Sequence, residues 1–257
     1  MPSPDIDFLL ALADVADAET LPRFRNGAGV DNKLVAAFDP VTEADRAAEL
    51  AIVSAIRGRY PEHAVLGEEY GLTGEGDRLW VIDPIDGTRA FIAGVPVWGT
   101  LVGYCEAGIA RLGLMSQPFT GERFIADTDA AWLEHGGRRQ RLAVRRTEEL
   151  AAATLFTTTP RLFTGEALRR FEALESQARL TRFGVDCYAF CMLAAGHADL
   201  VVETGLKPYD IVALVPIIER AGGVITNFAG DRPEAGGDIV ASATPVLHRQ
   251  ALDILNG

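Results

Sequence analysis

The sequence predicts a layered α/β fold, and three observations carry that prediction. Strand-like runs follow one another without intervening helices between residues 97 and 144, the pattern of an antiparallel or mixed sheet. Strands and helices then alternate from residue 154 to the end, as they do in α/β layers. A chain of 257 residues, 48% hydrophobic and 23% charged, has the length and composition to bury a large core.

Ser3-Pro4-Asp5 reads as a helix start with proline in the first helical position, and Ile6, Leu9, Leu10, Ala13 and Ala16 continue at helical spacing. Thr42-Glu43-Ala44-Asp45 has the form of a capping box, and Ala48, Ile52, Ala55 and Ile56 give its helix one apolar face. Strands are expected at 64–66, 79–82, 97–104, 109–115, 123–126, 130–133 and 141–144. The loop 71–78 carries three glycines and reads as a mobile segment that a metal orders. In the second half, strands are expected at 154–157, 180–183, 200–203, 224–226 and 239–241. Helices are expected at 164–177, 186–195 and 209–221, with a last one from Pro245. The segment 145–153 reads as the joint between an N-terminal α+β half, residues 1–145, and a C-terminal α/β half, residues 146–257, packed as one unit.

A net charge of −12 argues against a nucleic-acid partner, which calls for a basic stripe. It leaves phosphate chemistry open, because bound cations reverse the local sign of an acidic pocket. Cys105, Cys187 and Cys191 are too few and too odd for a disulfide framework, and Cys187 and Cys191, four apart on one helical face, read as core. The four histidines are scattered without zinc spacing, and neither H-E-x-x-H nor G-x-S-x-G nor an EF-hand loop is present. The N-terminus lacks a basic, apolar leader and no run is long enough to span a membrane, so the default expectation is a cytoplasmic protein without a membrane partner.

The most informative stretch is Trp80-Val81-Ile82-Asp83-Pro84-Ile85-Asp86-Gly87-Thr88. An apolar strand delivers two carboxylates three residues apart, and desolvating two acids is costly unless a cation compensates them. Ligands that are all oxygen suit a hard ion such as Mg²⁺. Gly87 allows close backbone approach, and amides from Asp86 to Thr88 at a helix start suit phosphate. The plain alternative is a turn capped by Asp86 or Thr88. Glu68 follows the run Ala64–Gly67, and Asp210 opens the most apolar helix; singly, the first reads as a solvated turn and the second as an acid favoured by the helix dipole. Together Glu68, Asp83, Asp86, Asp210 and the Ile85 carbonyl have the composition of a multi-metal oxygen site, with Asp83 as the bridge.

Gly67-Glu68-Glu69, Asp83-Pro84-Ile85-Asp86-Gly87-Thr88, and Asp210 with Ala221-Gly222-Gly223 resemble the inositol monophosphatase family, as does Val41-Thr42-Glu43-Ala44-Asp45. The resemblance runs from about residue 5 to residue 250. It implies an α-β-α-β-α sandwich, a homodimer, and hydrolysis of a small phosphate monoester with two or three Mg²⁺ ions. It further implies that Glu68, Asp83 and the Ile85 carbonyl hold one metal while Asp83, Asp86 and Asp210 hold a second, with Glu68 helping a weaker third. Thr88 would orient the attacking water with Asp45 behind it, although Asp45 also serves as the acid of its capping box.

Gly184-Val185-Asp186 matches the family's substrate-facing loop, and Glu203, seven residues before Asp210, matches its polyol-contacting acid. Gly184 to Tyr188, Leu200–Glu203, Gly205–Asp210 and Val95–Thr100 resemble the histidinol-phosphate phosphatase branch. Two carboxylates beside the leaving group suit a cationic substrate, with Asp186 pairing an ammonium. The alternatives are Asp186 as a helix N-cap, inositol 1-phosphate or another sugar phosphate as substrate, and a non-catalytic regulator that would lack one of the acids. Trp98 reads as core rather than as a ligand-stacking ring.

Overall fold

Helix α1 (Ile6–Thr20) begins where Asp5 Oδ1 accepts the Phe8 amide at 2.9 Å. Asp5 is thus the cap and Pro4 lies outside the helix, not at its first position; Ser3 is outside the described residues. The computed structural model describes residues 4–26, 30–32 and 40–257. Strands β1 (Val30–Asn32) and β2 (Pro40–Thr42) form a two-stranded antiparallel ribbon leading into α2 (Glu43–Arg59). The expected capping box is present there: Thr42 Oγ1 accepts the Ala44 and Asp45 amides, and Asp45 Oδ2 accepts Thr42 N–H at 2.7 Å.

The next strands are β3 (Ala64–Gly67), β4 (Gly71–Thr73) and β5 (Arg78–Asp86), followed by the short helix α3 (Thr88–Ile92). Then come β6 (Gly99–Glu106), β7 (Ile109–Gln117), β8 (Glu122–Ala126), β9 (Ala131–His135) and β10 (Arg138–Arg141). They form one sheet of order β10-β9-β8-β7-β6-β5-β3-β4, antiparallel except for the parallel pair β3–β5. The second half comprises β11 (Thr154–Thr157), α4 (Gly165–Glu175), β12 (Leu180–Phe183), α5 (Cys187–Ala194), β13 (Leu200–Leu206), α6 (Pro208–Ile211), α7 (Leu214–Arg220), β14 (Val224–Asn227), β15 (Gly237–Ser242) and α8 (Pro245–Asn256). Its mixed sheet has the order β12-β11-β13-β15-β14.

Three apolar cores glue five layers together. Leu9, Leu12 and Ile52 of α1 and α2 pack on Trp80, Ile82 and Val102, one face of the first sheet. Val81, Leu101 and Met115, pointing the other way, meet α5 and α7, whose far side receives Val201 and Ala241 of the second sheet. The second sheet alternates in the same way, since Leu200, Val202 and Val240 face α4 and α8. The period of two along each strand thus feeds both faces of both sheets. The result is the α-β-α-β-α sandwich.

Four expectations about elements change. Besides the start of α1, the helix expected over 209–221 is two helices, because Pro216 has no N–H for the Val212 carbonyl and the chain turns at Val212-Ala213. The paired glycines Gly103 and Gly113 admit that turn onto the sheet: a Cβ on Gly113 would lie 1.9 Å from the Ala213 carbonyl oxygen. The strand expected at 141–144 ends at Arg141, after which Leu142 and Val144 bond to Ala131 and Ala221 as irregular backbone. The segment 71–78, expected as a loop, begins with strand β4, paired with β3.

Candidate functional site

On a regular strand residues three apart face opposite sides. Asp83 and Asp86 nevertheless converge, because β5 carries a bulge between them: Asp83 pairs with Leu101 while Asp86 pairs with Gly99. Pro84 sits in the bulge, and Thr100 Oγ1 pins it by donating to the Pro84 carbonyl at 2.7 Å. The Ile85 amide donates to Asp83 Oδ1 at 3.0 Å, which orients that carboxylate. Glu68 arrives because β3 and β5 are parallel and end at the same edge, where the Glu68 amide donates to the Ile82 carbonyl at 3.1 Å. Asp210 stands in the first turn of α6, its Oδ2 held by the Lys207 amide at 2.7 Å.

One oxygen from each of Asp83, Asp86 and Asp210 lies within 4.8 Å of the others. Burial is the largest influence on all three carboxyls, and it raises their proton affinity. Asp83 is pushed well up, next by the charges of Glu68, Asp86 and Asp210. Asp86 is also pushed well up, next by Asp210 and Asp186, against the Cys187 amide that donates to it at 3.0 Å. Asp210 rises to about 6 despite the Lys207 amide. A hard cation fits this donor set: it would remove the repulsion and replace the lost water with oxygen ligands.

Beside the triad lies a cavity of about 270 Å³, lined by Asp86, Gly87, Thr88, Asp186, Glu203 and Asp210 together with Arg89, Thr158, Leu162, Cys187, Phe190 and Leu206. Gly87 has φ +84°, and a Cβ there would sit 3.2 Å from Trp98 Cα and 3.3 Å from Asp186 Cβ. Glycine is therefore required both by conformation and by space. A larger cavity of about 580 Å³ lies between the end of α1 and β8–β10, but its acids are already committed: Asp17 to Arg123 at 2.7 Å, Glu134 to Arg139 at 2.6 Å, and Glu122 to the Thr120 and Tyr188 hydroxyls at 2.7 Å each.

Asp186 is not the conventional N-cap of α5, because its side chain makes no capping hydrogen bond and its backbone takes φ +46°, ψ −141°. Burial raises its carboxyl, while the Arg89 charge and the Thr158 hydroxyl lower it. Glu203, buried, accepts Thr158 N–H at 2.6 Å and its hydroxyl at 3.1 Å, and burial pushes it to about 8. Gly184 and Val185 do not line the cavity: the Gly184 amide donates to the Thr158 carbonyl at 2.8 Å, and Val185 packs against the central core. Thr88 Oγ1 donates to the Ile85 carbonyl at 3.2 Å, and a carbonyl keeps a second lone pair for another partner. Asp45 does not meet Thr88 through a hydrogen bond; its Oδ2 is taken by Thr42, its Oδ1 is buried without a partner, and burial raises it to about 7. Trp98 is core, as expected. Thr158 and Arg89 join the cavity without having been singled out by the sequence; Arg89, next to Thr88, offered the only positional hint.

The model of the inositol monophosphatase family matches residues 1–256. The chain is 41% identical over 262 residues to the chloroplastic bifunctional phosphatase IMPL2 of Arabidopsis thaliana, covering 95% of this chain and 73% of that one. It is 33% identical over 252 residues to a histidinol-phosphatase of Chlorobaculum parvum, covering 97% and 96%. Among solved structures, an inositol monophosphatase from Zymomonas mobilis superposes with a TM-score of 0.87 at 38% identity, covering 98% of each chain.

Proposed function

The chain belongs to the inositol monophosphatase family and is a phosphoric monoester hydrolase, and from that premise we propose that it hydrolyses L-histidinol phosphate to L-histidinol and phosphate with Mg²⁺ as its cofactor. The observation that carries the substrate is the acidic wall of the cavity, where Asp186 and Glu203 flank the Thr158 hydroxyl. Histidinol phosphate bears an ammonium that such a wall attracts, and an apolar edge for its imidazole is offered by Leu162, Phe190 and Leu206. The histidinol-phosphatase of Chlorobaculum parvum, alike over nearly its whole length, supports the same choice.

Asp83, Asp86, Asp210, Glu68 and the Ile85 carbonyl would hold the Mg²⁺. When bound, Mg²⁺ supplies positive charge to the phosphoryl oxygens and makes water a better nucleophile near neutral pH. The chain does the positioning that phosphoryl transfer depends on. Gly87 and Thr88 form the floor on which the phosphoryl group sits, and the Thr88 hydroxyl, tethered to Ile85, orients the attacking water. Asp45 fixes the start of α2 through its capping box, and Ala44 beside it packs with Ile85, so Asp45 would support that corner through the helix start rather than by touching Thr88. Asp186 and Glu203 receive the leaving group, so the N-terminal half (1–145) carries most of the metal site and the C-terminal half (146–257) carries Asp210 and selection.

Inositol 1-phosphate is the second reading, favoured by the likeness to the Zymomonas mobilis inositol monophosphatase. Steady-state kinetics with Mg²⁺ decides: kcat/KM for L-histidinol phosphate should exceed that for inositol 1-phosphate at least tenfold, on the order of what one well-placed ion pair contributes to discrimination, and the reverse order would remove the substrate assignment.

A further inference from the structure

The loop between β3 and β4 is three residues long, Glu68-Glu69-Tyr70, closed by the pair Gly67–Gly71. Its tip is open to solvent, with Tyr70 50% exposed, so apolar packing does not hold it from outside. Its backbone is held from inside. The Glu68 amide donates to the Ile82 carbonyl of β5 at 3.1 Å. The Glu69 and Tyr70 amides donate at 2.8 and 3.1 Å to the two oxygens of Glu49, a side chain of α2 that is 1% exposed. Burial raises the proton affinity of this carboxyl and the two amides oppose the rise. A buried carboxylate in a helix facing the sheet is costly, and here both its oxygens are committed to one loop.

Gly67 completes the arrangement. Its φ is not positive, so the backbone does not demand glycine there; space does. A Cβ on Gly67 would lie 1.8 Å from Glu49 Oε1 and 2.3 Å from Glu49 Cδ. The first residue of Gly67-Glu68-Glu69 therefore makes room for Glu49, and the charge of the second acts on Asp83.

We propose that Glu49 is a positioning residue: it clamps the Glu68–Tyr70 loop so that Glu68 faces Asp83, and it governs cation affinity without touching the cation. The inference rests on the assignment of Glu68 to the metal site above. Groups that orient ligands typically alter metal affinity by about 10–100-fold when removed.

Three variants of the full chain test it: Glu49→Gln, Gly67→Ala, which evicts Glu49 without removing charge, and Glu68→Gln. Hydrogen exchange of the metal-stripped proteins should show the Glu69 and Tyr70 amides exchanging roughly tenfold faster or more in the first two variants, the loss of about one hydrogen bond's worth of protection, and unchanged in the third. Calorimetric titration with Mg²⁺ should give a dissociation constant raised about tenfold or more in all three. Exchange as in wild type, or wild-type Mg²⁺ affinity in folded Glu49→Gln or Gly67→Ala, overturns the proposal. Wild-type Mg²⁺ affinity in Glu68→Gln, with exchange still accelerated in the other two, overturns the assignment of Glu68 itself and the effect of Glu49 on the cation with it.

Discussion

Asp186 occupies backbone at φ +46°, ψ −141°, where only glycine is at ease, and it does so on the wall of the cavity. Such a conformation costs about 1–3 kcal/mol. Asp186→Gly should therefore raise stability by about 1 kcal/mol in a denaturant titration, while lowering kcat/KM for L-histidinol phosphate roughly tenfold or more and sparing inositol 1-phosphate. Equal loss on both substrates would assign Asp186 to catalysis rather than selection. The acids proposed to hold metal were legible in the sequence because Asp83 and Asp86 end an apolar strand, a place where carboxylates need a reason. Thr158 was not, because it stands in the run Thr157-Thr158-Thr159 with no spacing to single it out; only the fold sets its hydroxyl between Asp186 and Glu203.

At the scale of elements, the site depends on how closely α6 and α7 approach the first sheet. Gly103 and Gly113, opposite one another on β6 and β7, leave the space into which the Val212-Ala213 turn descends, and that turn sets the position of Asp210. A Cβ on Gly113 would meet the Ala213 backbone, which cannot swing away as a side chain does. Gly113→Ala should cost about 3 kcal/mol or more, the scale of overpacking in a full core, measured by chemical denaturation. A loss under about 0.5 kcal/mol would mean the helix pair is not seated on these glycines. Most elements are legible from periodicity, whereas the helix break before Pro216 and the bulge at Pro84 are not. Both prolines were visible, but only the tertiary contacts show that one ends a helical run and the other aligns two acids. Strand β4 is not legible in the sequence because Gly71-Leu72-Thr73 is too short to show alternation.

For the molecule as a whole, five layers bring strand ends from one sheet and a helix start from the next layer to a single acidic corner, an arrangement legible only through the family resemblance. That corner links stability to pH and, on the proposed function, to Mg²⁺. Carboxyls with raised folded-state values, such as Asp45 at about 7 and Glu203 at about 8, favour the folded state at low pH and lose that contribution as pH rises through those values. Asp83 and Asp86, pushed well up, act in the same direction in metal-free protein. His248, lowered to about 4 by burial, acts in the opposite sense, but only as pH falls below its unfolded value of 6.5. Between about pH 6.5 and pH 8 the melting temperature of the metal-free protein should therefore fall, and saturating Mg²⁺ should raise it more at the upper end of that range than at the lower. A Mg²⁺ shift that is larger at the lower pH would show that these acids do not hold the ion.

The most direct test is hydrolysis of L-histidinol phosphate by wild type and Asp83→Asn, followed while Mg²⁺ is chelated and then restored. Chelation should abolish turnover, and Mg²⁺ should return it in full to wild type. Asp83→Asn should stay roughly a thousandfold lower at any Mg²⁺ concentration, a loss of about 4 kcal/mol in transition-state stabilisation. Turnover that persists in chelator, or that survives in Asp83→Asn, would contradict a mechanism built on cations held by these acids.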